Sequence, residues 1–262
     1  MTRRKALLGL STLCLLVLGS IGPQVAAAAT NGTTAFTCKK EGPEHAFAKA
    51  HCTAADHVGG EYEESSVAEN TTTALLGTAG TTEGGKEAMK LKWTFATIPV
   101  ELQAKGLVLE GSVQNLKAES GEHYVDGEAK LTLTGVSVTS PASCKLKGET
   151  IESTQLTLTS KGQGDAVRLA PVKGEVIAEF TIQGPGCSVE SPWKLFGSIK
   201  GTPDGATVSF THAAGTAEGA LRIGAASGPK AGLEGSITLN GRDPVLEELS
   251  YSPLALKTVE TP

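Results

Sequence analysis

Met89-Lys90-Leu91-Lys92-Trp93-Thr94-Phe95 decides the fold: Met89, Leu91, Trp93 and Phe95 alternate one by one with Lys90, Lys92 and Thr94. Successive side chains of an extended strand point to opposite faces, so a period of two marks a strand with one apolar and one polar face. The pattern returns along the chain. Ala129, Leu131 and Leu133 share a face, and Val176, Ala178, Phe180 and Ile182 stand against Ile177, Glu179 and Thr181. Ala206, Val208 and Phe210 repeat it, as do Leu221 with Ile223 and Ile237 with Leu239. One wet face per strand is the mark of antiparallel sheets laid on a partner layer. Aromatic residues make up only 4% of the chain and glycines number 32, which fits many turns around a core of Leu, Val and Ile. The expectation is an all-β fold, a mainly antiparallel sandwich or flattened barrel.

Between these runs lie turn signals. Asp126-Gly127, Asp204-Gly205 and Asn240-Gly241 accept positive φ and so predict tight hairpins. Gly184-Pro185-Gly186 reads as a break, and Pro99 as a strand end or edge. The apolar phase slips at Gly135, from Leu131 and Leu133 to Val136 and Val138, which suggests a bulge. Helix is scarce: Pro43–Ala50 is the better candidate and Pro244–Leu249 the weaker. With no helical pattern between strands, an α/β scaffold is disfavoured. Leu109-Glu110-Gly111-Ser112-Val113 matches Leu233-Glu234-Gly235-Ser236-Ile237, a hint of duplication.

The N-terminus reads as an export signal. Arg3, Arg4 and Lys5 precede the apolar run Ala6–Ile21, and Ala26–Ala29 offers a small-residue cleavage site. The run is shorter than the about 20 residues of a membrane span, so release is expected rather than anchoring. Residues 1–29 are thus the signal and 30–262 one large β domain, with two similar halves near 30–140 and 141–262 as the alternative. Removing the signal takes three of the 23 basic residues and no acidic one, leaving 20 against 28 and a net charge near −8. That sign repels phosphate backbones, so nucleic acid is not an expected partner.

Of five cysteines, Cys14 departs with the signal, and Cys38, Cys52, Cys144 and Cys187 remain. An even number in an oxidising compartment reads as disulfides. Three pairings are possible. Cys38–Cys52, closing a short N-terminal element, with Cys144–Cys187 tying distant strands, is the preferred one. The spacings match no zinc pattern.

Histidines and carboxylates crowd one stretch: His45, His51, Asp56, His57, Glu61, Glu63 and Glu64. Neutral imidazole with carboxylate suits a transition metal, which makes His45, His51 and His57 the metal candidates. Against this, His45 and His51 lie six apart, not the four that set two ligands on one helix face, and a solvated loop is the plainer reading. No catalytic or cofactor-binding residues are assigned, since the mature chain has no Gly-x-Ser-x-Gly elbow and no phosphate-loop spacing. Trp193, after Pro192 and near Cys187, is the aromatic to test for ligand contact if it is more exposed than Trp93, the plainer reading being a half-buried tryptophan that covers the sheet beside a disulfide.

Cys38-Lys39-Lys40, His51-Cys52-Thr53 and Gly60-Glu61-Tyr62-Glu63 open a pattern. Leu133–Val138 before Pro141 and Cys144 continues it, followed by Cys187, Phe210-Thr211-His212 and Ala231–Gly235. In these segments the chain resembles a large paralogous group of uncharacterised, secreted, β-rich proteins from high-GC soil actinobacteria. The resemblance implies export and disulfides and brings no activity with it. The expected function is a secreted, non-catalytic binding or structural module, extracellular or held at the envelope, for an unknown extracellular ligand and without cofactor. Alternatives are a β-sandwich hydrolase acting on polysaccharide and a carrier of small apolar ligands.

Overall fold

The computed structural model describes residues 30–47, 59–80, 88–212, 221–242 and 251–260. Among these residues there are nineteen strands and no helix. The first five are β1 (Thr30–His45), β2 (Gly60–Ser66), β3 (Thr73–Ala79), β4 (Met89–Phe95) and β5 (Ile98–Ala104). Next come β6 (Gly106–Lys117), β7 (His123–Thr134), β8 (Ser137–Ser140), β9 (Lys145–Leu146) and β10 (Thr150–Glu152). The middle of the chain supplies β11 (Leu156–Thr159), β12 (Val167–Pro171), β13 (Val176–Gln183), β14 (Ser191–Phe196) and β15 (Ile199–Asp204). The last four are β16 (Thr207–His212), β17 (Arg222–Ile223), β18 (Gly232–Arg242) and β19 (Tyr251–Glu260).

Fifteen strands form one sheet, and β17, β14, β13 and β9 form a second. Within the large sheet β16, β15, β12, β11, β7, β6, β3 and β18 follow one another by antiparallel pairing, and β18 returns to β16. The sheet is still not an evenly closed barrel, because β1, β2, β4, β5, β8, β10 and β19 branch from this path. Long β18 makes the branching possible. One edge takes β16 and then β19, and the other takes β4 and then β3. The all-β, mainly antiparallel architecture matches the alternation in the sequence. Parallel contacts among the described residues are single bridges, Gly32 with His123 between β1 and β7 and Glu69 with Asn115 of β6.

The small sheet lies on the inner face of the large one. Met89 and Leu91 of β4, Leu131 of β7, Ile151 of β10 and Leu233 of β18 meet Ile177, Phe180 and Leu195 from the second layer. The space left among them is about 30 Å³. Deviations from strict alternation have local causes. Ile177, expected on the polar side, is buried because the ladder between β13 and β14 shifts between Val176 and Ala178. Phe95, expected on the core face, is 44% exposed because it ends β4 at the Ala96-Thr97 hairpin.

Of the expected hairpin turns, Asp204-Gly205 holds, with Asp204 paired to Thr207 and Gly205 at φ 58°. Asp126-Gly127 and Asn240-Gly241 instead lie inside β7 and β18. Gly127 is there because a Cβ would strike the Ser112 carbonyl of the neighbouring strand. Gly135 breaks the chain between β7 and β8 at φ 58° rather than bulging a continuous strand. The Pro43–Ala50 helix is corrected as well: Pro43–His45 closes β1, and Phe47 bridges Tyr62. The other candidate, Pro244–Leu249, lies outside the described residues. The two matching five-residue segments fall on β6 and β18, the strands that flank β3. Their shared glycine has one use: a Cβ at Gly111 or Gly235 would collide with the backbone of β7 or of Ala88.

Candidate functional site

Cys144 and Cys187 are joined, with Cα atoms 4.8 Å apart, tying the start of β9 to the turn after β13. Cys38 is buried and disulfide-bonded, and Cys52 lies outside the described residues. The disulfide whose two ends are described is therefore not in the N-terminal element. Of the metal candidates, His51 and His57 also lie outside the described residues. His45 Nδ1 sits 3.0 Å from Glu63 Oε2, across β1 and β2. Among the described residues no three His, Cys, Asp or Glu side chains converge as a metal site.

Trp193 departs from the exposure expected of it. Only 4% of it meets solvent. Its ring lies 5.3 Å from that of Trp93 and 5.2 Å from that of Phe95, and its indole N–H donates to the Val189 carbonyl at 3.2 Å. The aromatic group is the seam between the two sheets, with Phe180 edge-on to Trp93 at 6.3 Å. Trp93 and Trp193 are buried there, and Phe95 is the exposed ring of the group.

The open concave surface is elsewhere, on the outer face of β15, β16, β18, β3 and β4. Three adjoining hollows, of about 780, 370 and 200 Å³, share Lys90, Ser209, Thr211, His212 and Glu234 between them and form one trough. Alternation builds it: Val208, Phe210, Leu233, Ile237 and Leu239 turn into the core. The intervening Ser209, Thr211, Glu234, Ser236 and Thr238 are left outside. Register sets them in rows, Thr202–Ser209–Ser236 along one and Thr211–Glu234–Lys90 along the next.

One corner of the trough comes from a splay. Pairing of β15 with β16 runs from Asp204–Thr207 to Thr202–Ser209. At Lys200 the backbone N–H donates instead to Nε2 of buried His212, at 3.1 Å. That bond needs the imidazole neutral at Nε2. The side-chain contact keeps the strand ends joined while their outer edges part, and Lys200, Thr202, Ser209 and Thr211 line the gap. The arrangement offers hydroxyl donors and acceptors and a few charges. Among its described lining residues Glu234 is the one carboxylate, and no Phe, Tyr or Trp ring takes part.

The alternating strands gave each of these residues an outward position. What the sequence alone missed is the order β15–β16–β18–β4, which joins segments far apart in the chain. The enrichment of Ser and Thr on outward positions was the available signal. No family model matches the chain, no curated protein is similar to it, and no solved structure matches its fold.

Proposed function

We propose that the chain is an exported, non-catalytic binding module of the cell exterior or envelope, and that its ligand lies in the hydroxyl-lined trough. One observation carries the reading: the open concavity lies outside and is lined by hydroxyls and a few charges, while the apolar space described between the two layers is small. A carrier of apolar ligands needs an internal cavity of several hundred Å³, and the apolar space between the two layers is about 30 Å³. A glycosidase needs two carboxylates facing one another across a cleft, and the described trough residues supply Glu234 alone. The exported setting rests on the basic, apolar and small-residue order of residues 1–29 and on the resemblance to secreted actinobacterial proteins. The Cys144–Cys187 bridge is compatible with it.

The test is thermal unfolding of Thr30–Pro262, prepared under oxidising conditions, with added polysaccharides, fatty acids or divalent metals. A ligand that binds only the folded state raises the melting point by mass action. A polysaccharide is expected to raise it. A shift with fatty acids alone, or release of reducing sugar, would overturn the reading.

A further inference from the structure

Several cations on the strands of this protein are set against acids. Lys92 faces Glu101 at 3.5 Å, Lys194 faces Glu179 at 2.6 Å, and Lys130 pairs with Glu152 and Lys257 with Glu64. Arg168 of β12 and Lys200 of β15 break the pattern. They are directly opposite in register, share a face and are both exposed. Among the described residues neither side chain has an ion pair. Like charges directly opposite destabilise a sheet. Followed across the ladder, the closest carboxylates in register, Asp126 and Glu234, each lie two strands away, about 10 Å at the usual strand spacing. A chain with more acids than bases thus keeps two uncompensated cations side by side at the splayed corner of its trough.

We infer that this face binds an acidic polysaccharide, a chain carrying carboxylate or phosphate groups. Arg168 and Lys200 hold an anionic substituent between them, and the hydroxyls of Thr202, Ser209, Thr211 and Ser236 meet those of the sugar. The inference rests on the binding-module reading and names its ligand class. An extended ligand fits better than a lone anion, because the band from β12 through β15, β16 and β18 to β4 crosses four strand gaps, about 19 Å. A glycan fits better than nucleic acid: two cations neutralise few phosphates, and bases would want aromatic platforms that the described lining does not include.

Binding of Thr30–Pro262 is measured by calorimetry with polygalacturonate, dextran phosphate, dextran and single-stranded DNA. One or both acidic polymers are expected to bind, the preferred one telling carboxylate from phosphate, and binding weakens between about 50 and 200 mM salt. Lys200→Glu is expected to weaken it about tenfold or more. The same change raises the melting point of the free protein, because Arg168 gains an opposite charge. Arg168→Gln should likewise weaken binding without lowering the melting point, and Lys173→Glu, at an exposed turn, should change neither. Equal binding of dextran would overturn the acidic assignment and leave the module standing. Binding of no polymer would overturn both. Preference for DNA, or acidic binding unmoved by Lys200→Glu, would overturn the inference.

Discussion

Asn115 does at one position what an extra strand would do. It is 2% exposed, and its side-chain amide pairs with β1: Oδ1 accepts the Ala35 N–H at 2.8 Å and Nδ2 donates to the Ala35 carbonyl at 3.0 Å. Nδ2 also reaches the Val67 carbonyl at 2.8 Å, and the Asn115 backbone carbonyl accepts from Asn70. One residue of β6 thus fastens β1 and the segment after β2 to the main sheet. Asn115→Ala would strand the Ala35 N–H in the interior, at about 1–3 kcal/mol for each buried group left without a partner. A total loss of about 3 kcal/mol is expected in denaturant unfolding; a change below about 0.5 kcal/mol would show that the contacts are dispensable. The role was partly legible. Leu107, Leu109, Val113 and Asn115 share parity, which places a polar side chain on the core face. What it bonds was not legible, since Ala35 lies eighty residues away. Gly127 taught the converse: a turn-forming dipeptide sits mid-strand because a close backbone approach excludes a Cβ there.

At the scale of elements, the β4–β5–β8 margin is secured by a carboxylate. Burial alone would raise the pKa of Glu101, but hydrogen bonds from Gln103 at 2.7 Å and Thr139 at 3.1 Å, with Lys92 nearby, outweigh it and hold the carboxyl below its usual range. A depressed folded-state pKa gives stability that is present above the unfolded value, about 4.3, and lost as pH falls through the folded one. Glu101→Gln is therefore expected to melt below the parent at pH 7 and to meet it under acid. A gap of constant size from neutral pH down to about pH 3 would contradict the assignment. Period-two patterning predicted these strands well because burial of one face is a local demand. It failed where strands end or shift, at Phe95 and Ile177, and at Pro43–His45, where pairing with β2 sets the conformation. The trough was least legible of all: its rows exist only once β16, β18 and β4 are neighbours, and neighbour order is a property of the whole sheet.

Across the whole molecule, the two layers leave little apolar space between them among the described residues and carry their open concavity outside. A chain with more acids than bases that sets Arg168 and Lys200 side by side next to a hydroxyl-lined trough is suited to the anionic ligand proposed for it. The buried Trp193 cluster is a seam of the fold, and the outer face of β15, β16, β18 and β4 is the surface proposed to meet the ligand. Amide hydrogen exchange of Thr30–Pro262, followed by mass spectrometry with and without an acidic polysaccharide, tests this most directly. Slowed exchange is expected in Ile199–His212 and Gly232–Thr238, with little change across β13 and β14. Protection confined to β13, β14 and the Phe95 hairpin, or absent everywhere under saturating polymer, would contradict it.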